Sequence, residues 1–495
     1  MKMMSRTERD PITPELAREA VERARSRGAD YADARAICVD TESIETKNGA
    51  LSGLDAATSE GIGVRAMVSG AWGFASASGL DAAAVQRAAD RAVEIARASA
   101  RVQAAPVQLS PAAPVVAAWS TPFEVDPFTV PVDEKLALLM QIDAELRTEK
   151  RLKLALGFMG FRRERKFFAS SEGSAIDQTI LFSGVGYQAC ASDGKEIQVR
   201  SYPNSARGQF MTRGYELIRE LPLVAEARRV AVEAIELLTA PQCPSGTTDL
   251  ILGGQQLALQ IHESCGHPTE LDRVLGSEMN YAGGSFLQPE ERNRLTYGSK
   301  IVNLVADATT PGGLGTFGYD DEGIPAQRVD LVRDGRFVGY LSSRETARLI
   351  GLPASGGAMR ASGWNRIPLV RMTNVSLEPG KGSLADIIAD TKDGIYMETN
   401  RSWSIDQLRL NFQFGTEVGW EIKNGKRGRL LKNPTYQGMT TQFWGGCDWI
   451  AGREEWDVWG TPNCGKGQPG QLMFTGHGAS PSRFRGVKVG VAYAG

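Results

Sequence analysis

Histidine is scarce in this 495-residue chain, which has three: His262, His267 and His477. Two of them fall in one short stretch, Ile261-His262-Glu263-Ser264-Cys265-Gly266-His267. Such crowding of a rare residue points to a shared task. Neutral imidazole is the commonest zinc ligand, and a carboxylate beside it suits a general base that takes a proton from water at the metal. The chemistry so indicated is metal-assisted hydrolysis. In the familiar HExxH pattern the histidines lie four apart on one helix face. Here they lie five apart, as HExxxH, and at about 3.6 residues per turn five steps carry the second ring about 140° around the helix. A regular helix would point the imidazoles apart. Gly266 tolerates unusual dihedrals, and Pro268 pushes His267 out of the α region. The sequence therefore predicts that the helix ends near Gly266 or carries a π-bulge, so that His267 swings back towards His262.

Two histidines do not complete a catalytic site, which normally has three protein ligands and a water. Cysteines stand at 38, 190, 243, 265, 447 and 464. Cys464 is the best candidate: turn-forming residues flank it in Thr461-Pro462-Asn463-Cys464-Gly465-Lys466, which makes an accessible thiol, and Lys466 favours the thiolate. On composition alone Cys265, inside the helix motif, and Cys447 compete with it, and a buried thiol remains the ordinary reading of each. Asp320-Asp321-Glu322 reads as a turn cluster before a site. His477, between glycines, reads as a surface-loop residue. Trp444, Trp449, Trp456 and Trp459 read as core or interface.

The elements that must position these groups fall into an α+β pattern. Thr13 can cap a helix opening at Pro14, with an apolar stripe at Leu16, Ala17, Ala20, Val21 and Ala24. Residues 34–45 read as a strand, Ser69-Gly70 as a hairpin turn between strands 62–68 and 71–76, and Asp81 as the cap of a second helix. This gives a first α+β subunit over about 12–100. A proline-rich stretch, 101–131, reads as an extended connector. A second subunit over about 132–240 opens with a helix near Leu136, continues in strands near 154–160, 165–171, 176–190 and 195–200, and closes with a helix from Pro222 to Leu238. The division is thus an N-terminal α+β region, 1–240, and a mainly β domain, 241–495, interrupted by one helix, Gln255 to Gly266, that carries the HExxxH motif.

Composition constrains the partners. Fifty-six basic and 58 acidic side chains leave a net charge of −2, which gives no electrostatic reason to expect nucleic acid or an anionic membrane. The first residues lack the apolar core of a secretory signal, and no stretch approaches the roughly 18 apolar residues of a membrane span. Scattered cysteines without CxxC fit a reducing, cytoplasmic setting.

Four segments together resemble the TldD/PmbA family of peptidases, and its metal-bearing TldD branch in particular. They are HESCGHPTELD at 262–272, GYDDEGIPAQRVDLVRDGRFVGYL at 318–341, NCGKGQPGQ at 463–471, and the paired helix–strand arrangement of the first hundred residues. The resemblance implies Zn²⁺ held by His262, His267 and Cys464, with Glu263 as the general base. It implies short or unfolded peptides as substrates, and assembly as a homodimer or as a heterodimer with a PmbA/TldE-like paralogue. The alternative it leaves is a non-catalytic, metal-stabilised peptide-binding or partner subunit. The sequence departs from the family in its tail, Phe474 to Pro481, and in a tryptophan-rich 395–460 region.

Overall fold

The computed structural model of the protein describes residues 14–205 and 207–491; the expected cap at Thr13 lies outside them. Strands β1 (Tyr31–Lys47), β2 (Ala50–Val68), β3 (Ala71–Ser78), β4 (Val116–Ser120), β5 (Leu152–Ser170), β6 (Ala175–Ser192), β7 (Ile197–Tyr202) and β8 (Gln209–Met211) form one eight-stranded sheet. Its order is β3-β2-β1-β5-β6-β4, with β7 and β8 also paired to β6. Both halves of the N-terminal region therefore share one sheet, joined where β1 runs antiparallel to β5. Asn48-Gly49 and Ser69-Gly70 make the two hairpin turns. All four residues have positive φ, the geometry whose twist matches paired strands.

Two readings change here. The 101–131 stretch is not only a connector: its centre is β4, which pairs in parallel with β6. The strands expected at 154–160 and 165–171 are one strand, β5, because Arg162 and Arg163 between the apolar runs find partners in Glu164 and Asp126 and need no turn.

Helices α1 (Pro14–Ser26) and α2 (Ala82–Ser99) bury Ala17, Ala20, Ala24, Ala88, Ala89 and Ala92 in a shared core with β1 and β2. Such small residues let the helices lie close to the sheet. Asp81 caps α2, accepting from the Ala84 N–H at 2.8 Å. Helix α3 (Val132–Leu146), the short α4 (Glu216–Glu220) and α5 (Leu223–Thr239) build a second core with β5 and β6 around Leu139, Ile142, Met159, Val230 and Ile235.

The C-terminal region is mostly strand. After β9 (Gly246–Leu252) and α6 (Gly254–Ile261) come β10 (Leu304–Asp307), β11 (Arg328–Arg333), β12 (Arg336–Phe337), β13 (Met359–Arg360), β14 (Leu369–Val370) and β15 (Val375–Leu377). Then follow β16 (Asp393–Ile405), β17 (Asn411–Lys423), β18 (Lys426–Leu431), β19 (Pro434–Met439), β20 (Cys447–Ile450), β21 (Asp457–Lys466), β22 (Gln471–Ala479) and β23 (Ser482–Val491). The pairings β9–β16, β16–β17, β17–β19, β19–β23 and β23–β9 close into a ring. The single helix expected in this region is α6; short helices also occur at 271–274, 344–349, 384–390 and 440–445, each too brief to show a periodic apolar stripe.

The Asp320–Glu322 turn is buried and joins this region to the first sheet. Asp321 accepts from Lys166 Nζ at 2.6 Å and lies 3.6 Å from Arg35, while Glu322 accepts from the Arg344 N–H at 2.7 Å and lies 3.6 Å from Arg65. All six cysteines are free and buried. Among the described residues no helix is long and apolar enough to cross a membrane.

Candidate metal centre

Helix α6 packs its Leu257 and Ile261 into the large C-terminal core and lies against β16 and β22. It does not continue as a regular helix. Residues His262–Gly266 form a π-turn, closed by the His267 N–H donating to the His262 carbonyl, and a 3₁₀ turn, His267–Thr269, follows. The one-residue widening cancels the angular offset of five-residue spacing. The two imidazoles face each other, with ring centroids 4.8 Å apart at 89°. The Thr269 hydroxyl donates to the Cys265 and Gly266 carbonyls at 2.8 and 2.9 Å, satisfying oxygens that the widened turn leaves without helical partners. A side chain at Gly266 would force a shift: its Cβ would stand 2.1 Å from Met372 Sδ.

Cys464 arrives from β21. Its Sγ lies 3.8 Å from His267 Nε2, and the ligand atoms of His262, His267 and Cys464 all fall within 4.8 Å of one another. Four-coordinate zinc with bonds near 2.0–2.3 Å needs donor separations of roughly 3.3–3.6 Å, so small side-chain adjustments close the set.

The hydrogen bonds fix which imidazole nitrogens are free. His267 Nδ1 donates to Glu270 Oε2 at 2.9 Å, leaving its Nε2 lone pair toward Cys464. His477 Nδ1 donates to the Val375 carbonyl at 2.9 Å, so His477 Nε2 is an acceptor. It takes the proton of His262 Nδ1 at 2.8 Å, leaving His262 Nε2 open. His262 and His267 thus each leave Nε2 free, as metal-binding histidines do when the other nitrogen is hydrogen-bonded.

The electrostatics suit a cation. Burial holds His262 and His477 below the ordinary histidine value, keeping them neutral. Burial would raise Glu270, but Lys466, His267 and Arg273 outweigh it and hold the carboxylate ionised. Burial likewise would raise Cys464, but Arg371 and His267 outweigh it and the thiol is lowered. The donor set fits a zinc-type ion: two imidazoles and a thiol inclined to ionise.

Three expectations change. Cys464 is buried rather than accessible. Lys466 does not act on it directly, being committed to Asp272 at 2.6 Å and Glu270 at 3.4 Å; the stabilising cation is Arg371. His477 is not a loop residue but fully buried on β22, its ring 4.8 Å from that of His262. Scarcity was the available signal for it, since all three histidines of the chain meet at one place. Cys265 is a buried thiol, pushed up by burial, and Trp444 is core, donating to Ser264 Oγ at 3.0 Å.

Glu263 also reaches the centre, accepting from Arg409 Nη1 at 2.7 Å. It lies with His262, His267 and Cys464 in a cleft of ≈ 260 Å³ whose walls include Asn204, Gln255, Asn400 and the half-exposed Trp403.

Compared with known proteins, the chain matches the PmbA/TldA metallopeptidase family in three stretches: domain 1 over residues 32–96, the central domain over 125–238 and the C-terminal domain over 245–490. It is 28% identical over 411 residues to a metalloprotease of Methanocaldococcus jannaschii, covering 83% of this chain and 87% of that protein. It is 26% identical over 469 residues to a metalloprotease TldD homologue of Haemophilus influenzae, covering 94% and 93%. Its fold is that of TldE from Thermococcus kodakarensis, with a TM-score of 0.70 at 15% identity over 96% of this chain and 99% of that one. With all three domains matched in order along its length, the chain belongs to the TldD/PmbA metallopeptidase family.

Proposed function

We propose that the protein is a zinc-dependent peptidase of short or unfolded peptides, with His262, His267 and Cys464 as metal ligands and Glu263 as general base. The observation that carries this reading is the convergence of two imidazole lone pairs, a thiol and a carboxylate on one cleft. The bound ion would supply Lewis acidity, acidifying water and polarising a carbonyl. Glu263 accepts the proton of the attacking water and returns it to the departing amine. Glu270 and His477 hold the two imidazoles in the tautomer that leaves Nε2 free. The cleft is partly walled by the strands β16 and β21, which suits an extended peptide better than a folded protein. We place this machinery in a C-terminal unit, 241–495, working beside an N-terminal α+β region, in a homodimer or with a TldE-like paralogue, in the cytoplasm.

The test is chelator-sensitive cleavage of casein. Glu263→Ala keeps zinc and loses orders of magnitude in turnover; full activity in that variant would overturn the mechanism. Cys464→Ser weakens zinc retention, and unchanged zinc content would move the third ligand elsewhere. Zinc retention without cleavage by the wild type would favour the non-catalytic reading.

A further inference from the structure

Arg409 is built into the cleft at a backbone cost. Its φ is 65°, a left-handed conformation that disfavours a non-glycine residue. The surrounding loop enforces it. Asp406 accepts from the Leu410 and Asn411 N–H groups at 2.8 and 3.1 Å, the Arg409 N–H donates to the Asp406 carbonyl at 3.0 Å, and the Arg409 carbonyl accepts from Thr440 Oγ1 at 3.0 Å. The outcome is a guanidinium with one hydrogen bond, Nη1 to Glu263. Its Nε is buried and unpaired, and the side chain lines the cleft. A guanidinium serving only to neutralise Glu263 would not leave most of its donors unspent in a buried setting. A guanidinium held by its loop beside the base, in the lining of the cleft and with donors unspent, is the arrangement of a group awaiting an acceptor.

We propose that Arg409 is a catalytic residue that receives the scissile carbonyl oxygen of the peptide on Nη2 and stabilises the negative charge developing there, while Nη1 keeps Glu263 aimed. This rests on the peptidase reading above. No bond is made to Arg409 and no proton leaves it; it contributes a charged hydrogen bond that strengthens as the carbonyl becomes tetrahedral.

The test uses Arg409→Gly, which the left-handed backbone accepts without strain, and Arg409→Lys. In zinc-loaded full-length protein, Arg409→Gly lowers kcat about 10²–10³-fold with KM within a few-fold, and exogenous guanidinium restores part of the rate. The second readout is binding, by calorimetry, of a phosphinic peptide that mimics the tetrahedral state. Its affinity falls in parallel with kcat, an unreactive amide peptide of the same sequence binds as before, and zinc content is unchanged. Arg409→Lys lies between. Wild-type cleavage with kcat and phosphinate affinity of Arg409→Gly within threefold of wild type overturns the role of Arg409 alone. Failure of the wild type to cleave any peptide overturns the peptidase reading and this inference with it.

Discussion

His477 is not among the proposed ligands, yet it decides which nitrogen of His262 is left free. A carbonyl can only accept, so the Val375 contact forces the proton onto His477 Nδ1 and, in sequence, onto His262 Nδ1. Replacing His477 by phenylalanine preserves bulk but strands a buried N–H on His262. Zinc affinity, read by competition with a chromogenic chelator, is expected to fall about 10–100-fold; unchanged affinity would show that the tautomer is set elsewhere. The histidine pair with its neighbouring carboxylate was legible in the sequence because a rare residue clustered beside a glutamate. His477 and Arg409 were not. Their roles depend on contacts across 215 and 146 residues of chain, which no local spacing encodes.

The π-turn is the element that converts an awkward spacing into a usable one. Its need was readable from arithmetic on the helix period, but the expected cause was wrong: His267 keeps α dihedrals, φ −59° and ψ −43°, despite Pro268, and Gly266 is also α, so the chain widens by a π-turn instead of leaving the α region. Hidden from the sequence was the wall it abuts: Met372, fully buried, against which any side chain at 266 collides. Gly266→Ala should destabilise the fold by about 1–3 kcal/mol and weaken zinc binding together, as seen in denaturant unfolding and metal titration. Adding Met372→Ala should recover part of the metal affinity, since the two sites share one contact; strictly additive losses would place the effect outside that contact. Helices with periodic alanine stripes were readable, as was the cap at Asp81. The parallel strand at Val116–Ser120 was not, because prolines around it give the signature of a linker and its partner β6 lies far along the chain.

Across the molecule, buried ion clusters hold the N-terminal region to the ring of strands. Arg200 on β7 bonds Glu233, Glu398 and Glu417 at 2.9, 3.2 and 3.1 Å, and Ser201 donates to Glu417 through its N–H and hydroxyl at 2.7 and 2.6 Å. Burial pushes the Glu417 carboxyl up to about 7, although Arg200 and Ser201 pull it down. Its folded value exceeds the ordinary glutamate value of about 4.3, so the folded state binds the proton more tightly. That contribution is complete below the ordinary value and is lost as pH rises through about 7. Glu417→Gln keeps an acceptor for Ser201 and removes the titration. Between pH 5 and 8 the wild type should lose more unfolding free energy than this variant, by on the order of 3 kcal/mol; parallel pH profiles would dismiss Glu417 as the source.

The closed ring also bears on the order of events during synthesis. Its last member, β23, seats between β9 and β19, and β21 and β22 supply Cys464 and His477 just before it. A nascent chain still lacking these strands has His262 and His267 but no thiolate and no closed ring to press them together. On the proposed ligand set, zinc capture belongs after translation, and ribosome-stalled chains ending near residue 455 should bind the ion far more weakly than released protein.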